Sequence, residues 1–219
     1  MNKAFILGVF TAMMIAVVSF NSCDKAGDGD DPDTPDTSSS YPEKAAVKYL
    51  WLSNSIEHGE TVHYYVTFDN HAKRFRYDWY GPVRNYETGE YISLYDHWES
   101  EAVNHINKTH WKSTYNGACD DQPYNANQKI DQSFSTAQQL LSRGYKKQPA
   151  QKIYAGKPCD MYILTGSSGT TTCGLWNDIN LFVEVDAGIS YTLWEALEVS
   201  LNVPAVAFTK TLDITWLTM

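Results

Sequence analysis

The segment Glu60-Thr-Val-His-Tyr-Tyr-Val-Thr-Phe-Asp-Asn-His-Ala-Lys-Arg-Phe-Arg-Tyr-Asp-Trp-Tyr80 decides the fold class. Val62, Tyr64, Val66 and Phe68 recur at every second position, and so do Phe75, Tyr77 and Trp79. A two-residue period puts each set on one side of an extended chain, whereas a helical face repeats every 3.6 residues. β-branched and aromatic side chains also suit a half-buried pleated surface. Asp69-Asn-His-Ala72 lies between the two runs and supplies turn-forming residues. The segment therefore predicts adjacent antiparallel strands, Glu60–Asp69 and Lys73–Tyr80.

Similar alternation predicts strands at Glu90–Tyr95, Gln151–Ala155, Asp160–Leu164, Thr170–Trp176, Asn180–Val185 and Ser190–Trp194. A last strand is expected over Ala205–Leu217, where Val206, Phe208, Leu212, Ile214 and Trp216 share a face that Lys210 interrupts. One helix begins at Ser135, with Gln138 completing a capping box, Ala137, Leu140 and Leu141 forming the apolar stripe and Gly144 stopping it. Trp98, Ala102 and Ile106 repeat at helical spacing within Asp96–Asn107, which suggests a second helix, and Gly117–Lys129 reads as loop. The expected fold is mainly β (α+β): a single antiparallel, strongly curved sheet or half-barrel with one or two short helices, the alternative being a β-sandwich.

Upstream of this domain the composition changes twice. Ala4–Phe20 is the one long apolar run, preceded by Lys3 and followed by small and polar residues, and it matches a secretory signal rather than a membrane span. After Cys23, residues 24–43 hold seven acids (Asp24, Asp28, Asp30, Asp31, Asp33, Asp36, Glu43) against Lys25, among Gly, Pro, Ser and Thr. Such a segment has almost nothing to bury, so it is expected to stay extended as a spacer. The organisation read from sequence is a signal peptide at 1–22, an anchor and acidic tether at 23–43, and one domain at 44–219. The formal net charge is −9, and much of it sits in the tether. With the remaining positive charges scattered, nucleic acid is not an expected partner.

Phe20-Asn-Ser-Cys23, followed by Asp24 and Lys25, resembles the relaxed lipobox of bacteroidete outer-membrane lipoproteins. The resemblance implies cleavage before Cys23, acylation of that cysteine with lipid such as palmitate, and a membrane partner reached through it. The acidic stretch behind the cysteine is similar to those associated with outward-facing lipoproteins. Residues 148–216, from Lys152-Ile-Tyr-Ala-Gly-Lys-Pro-Cys-Asp-Met-Tyr162 through Gly174-Leu-Trp-Asn-Asp-Ile-Asn-Leu-Phe182 to the terminal strand, resemble the half-open barrel of periplasmic lipoprotein carriers and related small lipoproteins. That likeness implies a concave sheet able to hold an acyl chain.

Export implies an oxidising compartment, so Cys119, Cys159 and Cys173 allow one disulfide. Cys159 and Cys173 flank the turn Gly166-Ser-Ser-Gly169 and are the favoured pair, although an in-register hairpin sets them on opposite faces unless a bulge intervenes. Cys119 with either is the other pairing. If Asp96–Asn107 is helical, His97, Glu101 and His105 fall on one face with His110 nearby, an adequate zinc set. Glu99 with Glu101, and Glu195 with Glu198, are acid pairs of the kind glycosidases use. No phosphate loop, His-Glu-x-x-His motif or nucleophile elbow occurs, and no cofactor is expected.

Aromatic residues make up 14% of the chain, enough to line a cavity or to stack on sugars. The first expectation is a non-enzymatic lipoprotein binding an apolar or lipid-like ligand through Trp79, Trp176, Phe182 and Phe208. A glycan-binding accessory lipoprotein is the alternative, and a hydrolase or metal-binding protein comes third. Acyl chains contribute about 0.8 kcal/mol per buried CH₂, so a multiply acylated Cys23 holds the protein to a membrane. Cys23→Ala is expected to abolish labelled-palmitate incorporation and to move the protein into the soluble fraction, or leave it unprocessed; wild type recovered as a soluble species starting elsewhere would refute the anchor.

Overall fold

The computed structural model describes residues 42–54, 60–85, 87–114, 117–128, 130 and 134–211. Residues 1–41, which include the expected signal peptide, Cys23 and nearly all of the expected tether, and residues 212–219 lie outside that range. Eleven antiparallel strands form one open sheet: β1 (Ala45–Ser53), β2 (Val62–Asp69), β3 (Arg74–Arg84), β4 (Tyr91–Asn104), β5 (Thr109–Thr114), β6 (Asp120–Asp121), β7 (Lys146–Tyr154), β8 (Lys157–Gly166), β9 (Gly169–Trp176), β10 (Ile179–Asp186) and β11 (Tyr191–Ser200). Their spatial order is β6-β5-β4-β3-β2-β1-β11-β10-β9-β8-β7. Two meanders, β1 to β6 and β7 to β11, are thus joined by pairing the first strand with the last. The mainly β, single-sheet class is borne out, and the sandwich alternative is not adopted.

The hairpin that decides the class has the expected register, with Val66 opposite Tyr77 and Phe68 opposite Phe75. Asn70, His71 and Ala72 turn the chain with positive φ. Helix α1 (Ala137–Ser142) starts one residue later than its sequence suggests: Thr136 caps it, and Gln139 at the third position completes the capping box. Gly144 follows it at φ 89°, the left-handed conformation that ends a helix cheaply only in glycine.

Three expectations fail. Asp96–Asn107 is not a helix but belongs mainly to β4, because the register against β3 sets Glu99, Glu101 and Val103 opposite Trp79, Tyr77 and Phe75. Sheet pairing there overrides a weak helical spacing. Trp98 instead sits at a shift in that register and lies flat over Gly81, where an added Cβ would stand 2.5 Å from its ring. Ala205–Leu217 does not begin as a strand: behind Pro204 a single 3-10 turn covers Ala205–Phe208. Gly117–Lys129 is not all loop, since the short β6 lies within it, and β1 and β5 form where the sequence pattern predicts no strand.

The largest buried cluster draws on both meanders, with Val47, Tyr49, Tyr64, Val66, Phe68 and Phe75 from the first and Cys159, Met161, Ile179 and Leu181 from the second. Tyr124, Ile130 and Phe134, from the chain between β6 and α1, pack against it, and the Phe134 ring meets Phe68 edge-on at 5.0 Å. A sheet whose two halves share a core through an inserted segment is curved, as a half-barrel is. On the other side of β2 and β3, Ala46, Tyr65 and Tyr80 pack against Val203 and Ala207, so the chain after β11 straps that face.

Under this strap lies an ion pair whose side chains are both fully buried. Arg76 Nε donates to both Asp78 carboxylate oxygens at 3.0 and 2.9 Å, and Nη2 adds a bond of 2.8 Å. Arg76 Nη1 also donates to the Ala207 carbonyl at 3.2 Å, and its guanidinium lies over the Trp111 ring. Ser100 donates to Asp78 and meets His97 Nε2 at 2.9 Å. Removing one partner strands the other charge away from water, at a cost of about 3–5 kcal/mol. Asp78→Ala is expected to lower unfolding free energy by about that amount in urea titration, whereas replacing both partners with apolar residues should recover much of it.

Candidate functional site at the tryptophan end of the sheet

At one end of β1, β2, β3 and β11 the alternation of the sequence gathers tryptophans on one face. Trp51 stands opposite Val62 on β2 and opposite Trp194 on β11. Tyr64 stands opposite Trp79 on β3. The Tyr64 and Trp79 rings stack at 4.1 Å, and Trp51 meets Trp79 edge-on at 5.5 Å. Trp51, Val62, Val83 and Trp98 form a buried cluster, with the half-buried Trp79 and Trp194 against it. Trp51 is 3% exposed.

Beside these rings stand two carboxyls. Glu99 is opposite Trp79 and Glu101 is opposite Tyr77. Two residues apart on one strand, they share a face but not an environment. Glu101 is only partly buried, and its Oε1 accepts from Gln128 Nε2 and pairs with His110 Nε2, each at 2.7 Å, while Lys112 Nζ reaches Oε2 at 2.8 Å. Burial works against its ionisation, but the Lys112, Gln128 and His110 contacts outweigh it and hold the carboxyl below its usual range. The Glu99 backbone meets the His97 ring, and its carboxyl has no hydrogen-bond partner among the described residues. Burial raises it above the usual carboxylate range, the Lys112 charge opposing and Glu101 reinforcing the shift. Neighbouring carboxyls pushed in opposite directions supply one fixed anion and one group ready to accept or hold a proton.

The sequence-named residues are only partly brought together. Trp79 belongs to this end. Trp176 and Phe182 pack against the same large cluster as Trp79, but Trp176 lies under Lys157 Nζ at 5.1 Å and Phe182 stacks on Tyr154 at 4.5 Å. Phe208 is elsewhere: it joins the strap cluster and lies under the Arg74 guanidinium. Its displacement follows from the 3-10 turn that replaces the expected strand.

The zinc set is not assembled, because the extra residue at Trp98 shifts the register and sends His97 and Glu101 to opposite sides of β4. His97 lies in the Asp78–Ser100 network, and His105 Nδ1 meets the Tyr124 hydroxyl at 2.8 Å. Only Glu101 and His110 meet, and the described residues contain no cluster suited to a metal. Cys159 and Cys173 are also apart. Cys173 pairs with Tyr162, so the in-register hairpin leaves Cys159 on the other side, in a different cluster. Both thiols are free and buried, and burial raises each to about 11. Glu198 faces Lys48 and Glu195 faces Leu50 across the β1–β11 ladder. Trp51 and Trp194 were not singled out from sequence, although Val47, Tyr49 and Trp51 already alternate there.

No family model matches the chain, and no curated protein matches it significantly. Among solved structures it is similar to PNGF-II, in two space groups, at 10% identity and a TM-score of 0.36, covering 77% and 76% of this chain. The chain spans only 30% and 29% of the PNGF-II chains, and a likeness at that score carries no argument.

The two carboxyls predict opposite pH behaviour. Glu101, lowered in the folded state, contributes stability above the ordinary carboxylate pKa that is lost as pH falls through its folded value. Glu99, raised in the folded state, favours folding at low pH and loses that contribution as pH rises through its folded value. Glu101→Gln is therefore expected to lower the melting temperature at neutral pH and to converge on wild type in acid. Glu99→Gln is expected to leave it unchanged or raise it at neutral pH. Thermal melts between acid and neutral pH check both.

Proposed function

We propose that the chain is a lipid-anchored, outward-facing outer-membrane lipoprotein, not an enzyme, whose β domain binds a glycan at the tryptophan end. The observation that carries this reading is the half-buried Trp79, backed on one face by the buried Tyr64 and met edge-on by the buried Trp51, with the half-buried Glu99 opposite it and its carboxyl without a hydrogen-bond partner among the described residues. A sugar ring offers an apolar face to an aromatic plate and hydroxyls to a carboxyl, so it satisfies both kinds of group. An alkyl chain would cover the rings and leave Glu99 desolvated without a donor.

The apolar-ligand reading retains one observation in its favour. Trp79, Trp176 and Phe182 all border the same large cluster, so a long ligand lying along it would touch all three. Against this, Tyr124, Ile130 and Phe134 of the protein itself already pack there.

A glycan array, with a fluorescent fatty-acid titration beside it, separates the two. Saturable oligosaccharide binding is expected, and Trp79→Ala should weaken it by at least about tenfold, the scale of an aromatic anchor. Circular dichroism should be unchanged. Fatty-acid binding without any glycan signal would replace this reading with the apolar one.

A further inference from the structure

We infer that Lys112 joins Trp79 and Glu99 in the ligand site, and that the three together select an uncharged sugar with two adjacent free hydroxyls and reject acidic glycans. This rests on the glycan reading above, and it adds the charge of the ligand and the donor that β5 supplies.

The register sets these groups side by side on one face of three adjacent strands. Glu99 lies across from Trp79 on β3 and from Thr114 on β5, and Lys112 lies across from Glu101, one pair further along. Directly opposed residues have Cβ atoms about 5 Å apart and diagonal ones about 7–8 Å, within the combined reach of a glutamate and a lysine. None of the three is sealed: Trp79 and Glu99 are half-buried, and the Lys112 side chain is 42% exposed.

Their hydrogen-bonding capacities are complementary. An ammonium has three protons, of which Glu101 Oε2 takes one from Lys112 at 2.8 Å. An ionised Glu99 carboxyl can only accept. A sugar ring turned toward Trp79 can therefore donate from one hydroxyl to Glu99 and accept with the next from Lys112. An alkyl chain or an isolated hydroxyl satisfies at most one of the two.

The surrounding charges set the class of sugar. Glu101 neutralises Lys112, while His110 and Gln128 share its other oxygen, and Asp120 on β6 stands across from Lys112. The charge left over is that of Glu99. An acidic sugar would bring a second anion against it in partly desolvated surroundings. An amino sugar would instead meet the Lys112 ammonium. A neutral ring avoids both, so the discrimination comes from repulsion as well as from contact.

The test is calorimetric titration of the full chain with cellotetraose, maltotetraose and mannotetraose against tetragalacturonate at neutral pH. At least one neutral tetraose is expected to bind at least about tenfold more tightly than tetragalacturonate. Glu99→Gln keeps an acceptor and removes the charge, so it should raise tetragalacturonate affinity and close most of that gap. Lys112→Gln should weaken neutral binding about tenfold, the scale of a hydrogen bond to a charged group. The gap should also narrow as pH falls through the folded value of Glu99, which burial raises, because protonation removes the repelling charge. A Glu99 that only supported the fold would leave both the gap and its pH dependence alone.

Tetragalacturonate bound as tightly as the neutral tetraoses would overturn the inference and leave the glycan reading standing. So would Trp79-dependent binding of a neutral tetraose that Lys112→Gln leaves unchanged, or a gap that neither Glu99→Gln nor acid alters. Absence of any glycan binding, on the array as in the titrations, would overturn the inference and the glycan reading together.

Discussion

The pairing of β1 with β11 is the constraint on which the rest of the structure depends. Each meander can form from local hairpins, but the single sheet exists only because Ala46 through Ser53 line up with Ser200 through Thr192. These partners lie well over a hundred residues apart, so the loop entropy of bringing them together is met before any contact between the halves can compensate it. A register shift between Lys48 and Tyr49 lets the ladder begin with Ala46 against Ser200 and continue with Tyr49 against Ala196. Beyond the ladder, the Tyr49 hydroxyl donates to the Asn180 carbonyl at 2.9 Å, tying β1 to β10 within the core. The Trp51–Trp194 pair is a direct product of this register. A one-residue slip would send one of the two indoles to the opposite face.

An open sheet must also manage its two free edges, and each is treated differently. β6 is only two residues long and both are aspartate, so it offers little ladder and a repulsive one. β7 is longer but carries Lys146, Lys147, Lys152 and Pro149, is mostly exposed, and departs from register between Lys147 and Gln151. Charge, proline and irregularity are the usual means of discouraging edge-to-edge pairing. The face away from the main core is handled by covering. The segment after β11 lays Val203, Ala207 and Phe208 against it, and Arg76 and Asp78 neutralise each other beneath. A buried bidentate pair that also holds the Ala207 carbonyl gives the strap one preferred docking position, which apolar contact alone specifies less sharply.

Much of the sheet was legible because alternation is a strong local signal wherever one face is buried. The Val62–Phe68 and Phe75–Trp79 runs carry it cleanly, and the hairpin about Gly166 and Gly169 even has the register implied by its turn. β4 resembles a helix in sequence because His97 and Trp98 lie at a register shift, which breaks the alternation just where Trp98, Ala102 and Ile106 happen to mimic helical spacing. β1 is hidden in the sequence for a different reason. Its first residues are apolar on both sides, since Val47 faces the main core while Ala46 lies under the strap. A strand buried on two faces loses its period, and so does not announce itself. The candidate site was legible in its parts, Trp79 and the Glu99–Glu101 pair, but not in its assembly. What brings Trp194 to Trp51 is a long-range ladder, and no spacing within either segment encodes it.

The site also differs from an enclosed pocket in what it asks of a ligand. Trp79 and Trp194 are half-buried rather than sealed, and the large cluster they border is also packed by Tyr124, Ile130 and Phe134. Such a surface covers one side of a ligand, and one-sided burial limits the affinity available per contact. Under the proposed function, a tether offsets that limit. Residues 24–43 are rich in proline and like charge, and if they stay extended, as that composition leads one to expect, they would span roughly 3 Å per residue, or about 60 Å. Many copies anchored in one membrane would then sample a polymeric ligand together, and repeated weak sites on a polymer reinforce one another without any new contact. A free fatty acid has no repeats and gains nothing from such an array. Under that reading, the one-sided geometry at Trp79 and the spacer expected before the domain would favour the same ligand class, a polymer with a repeated polar ring.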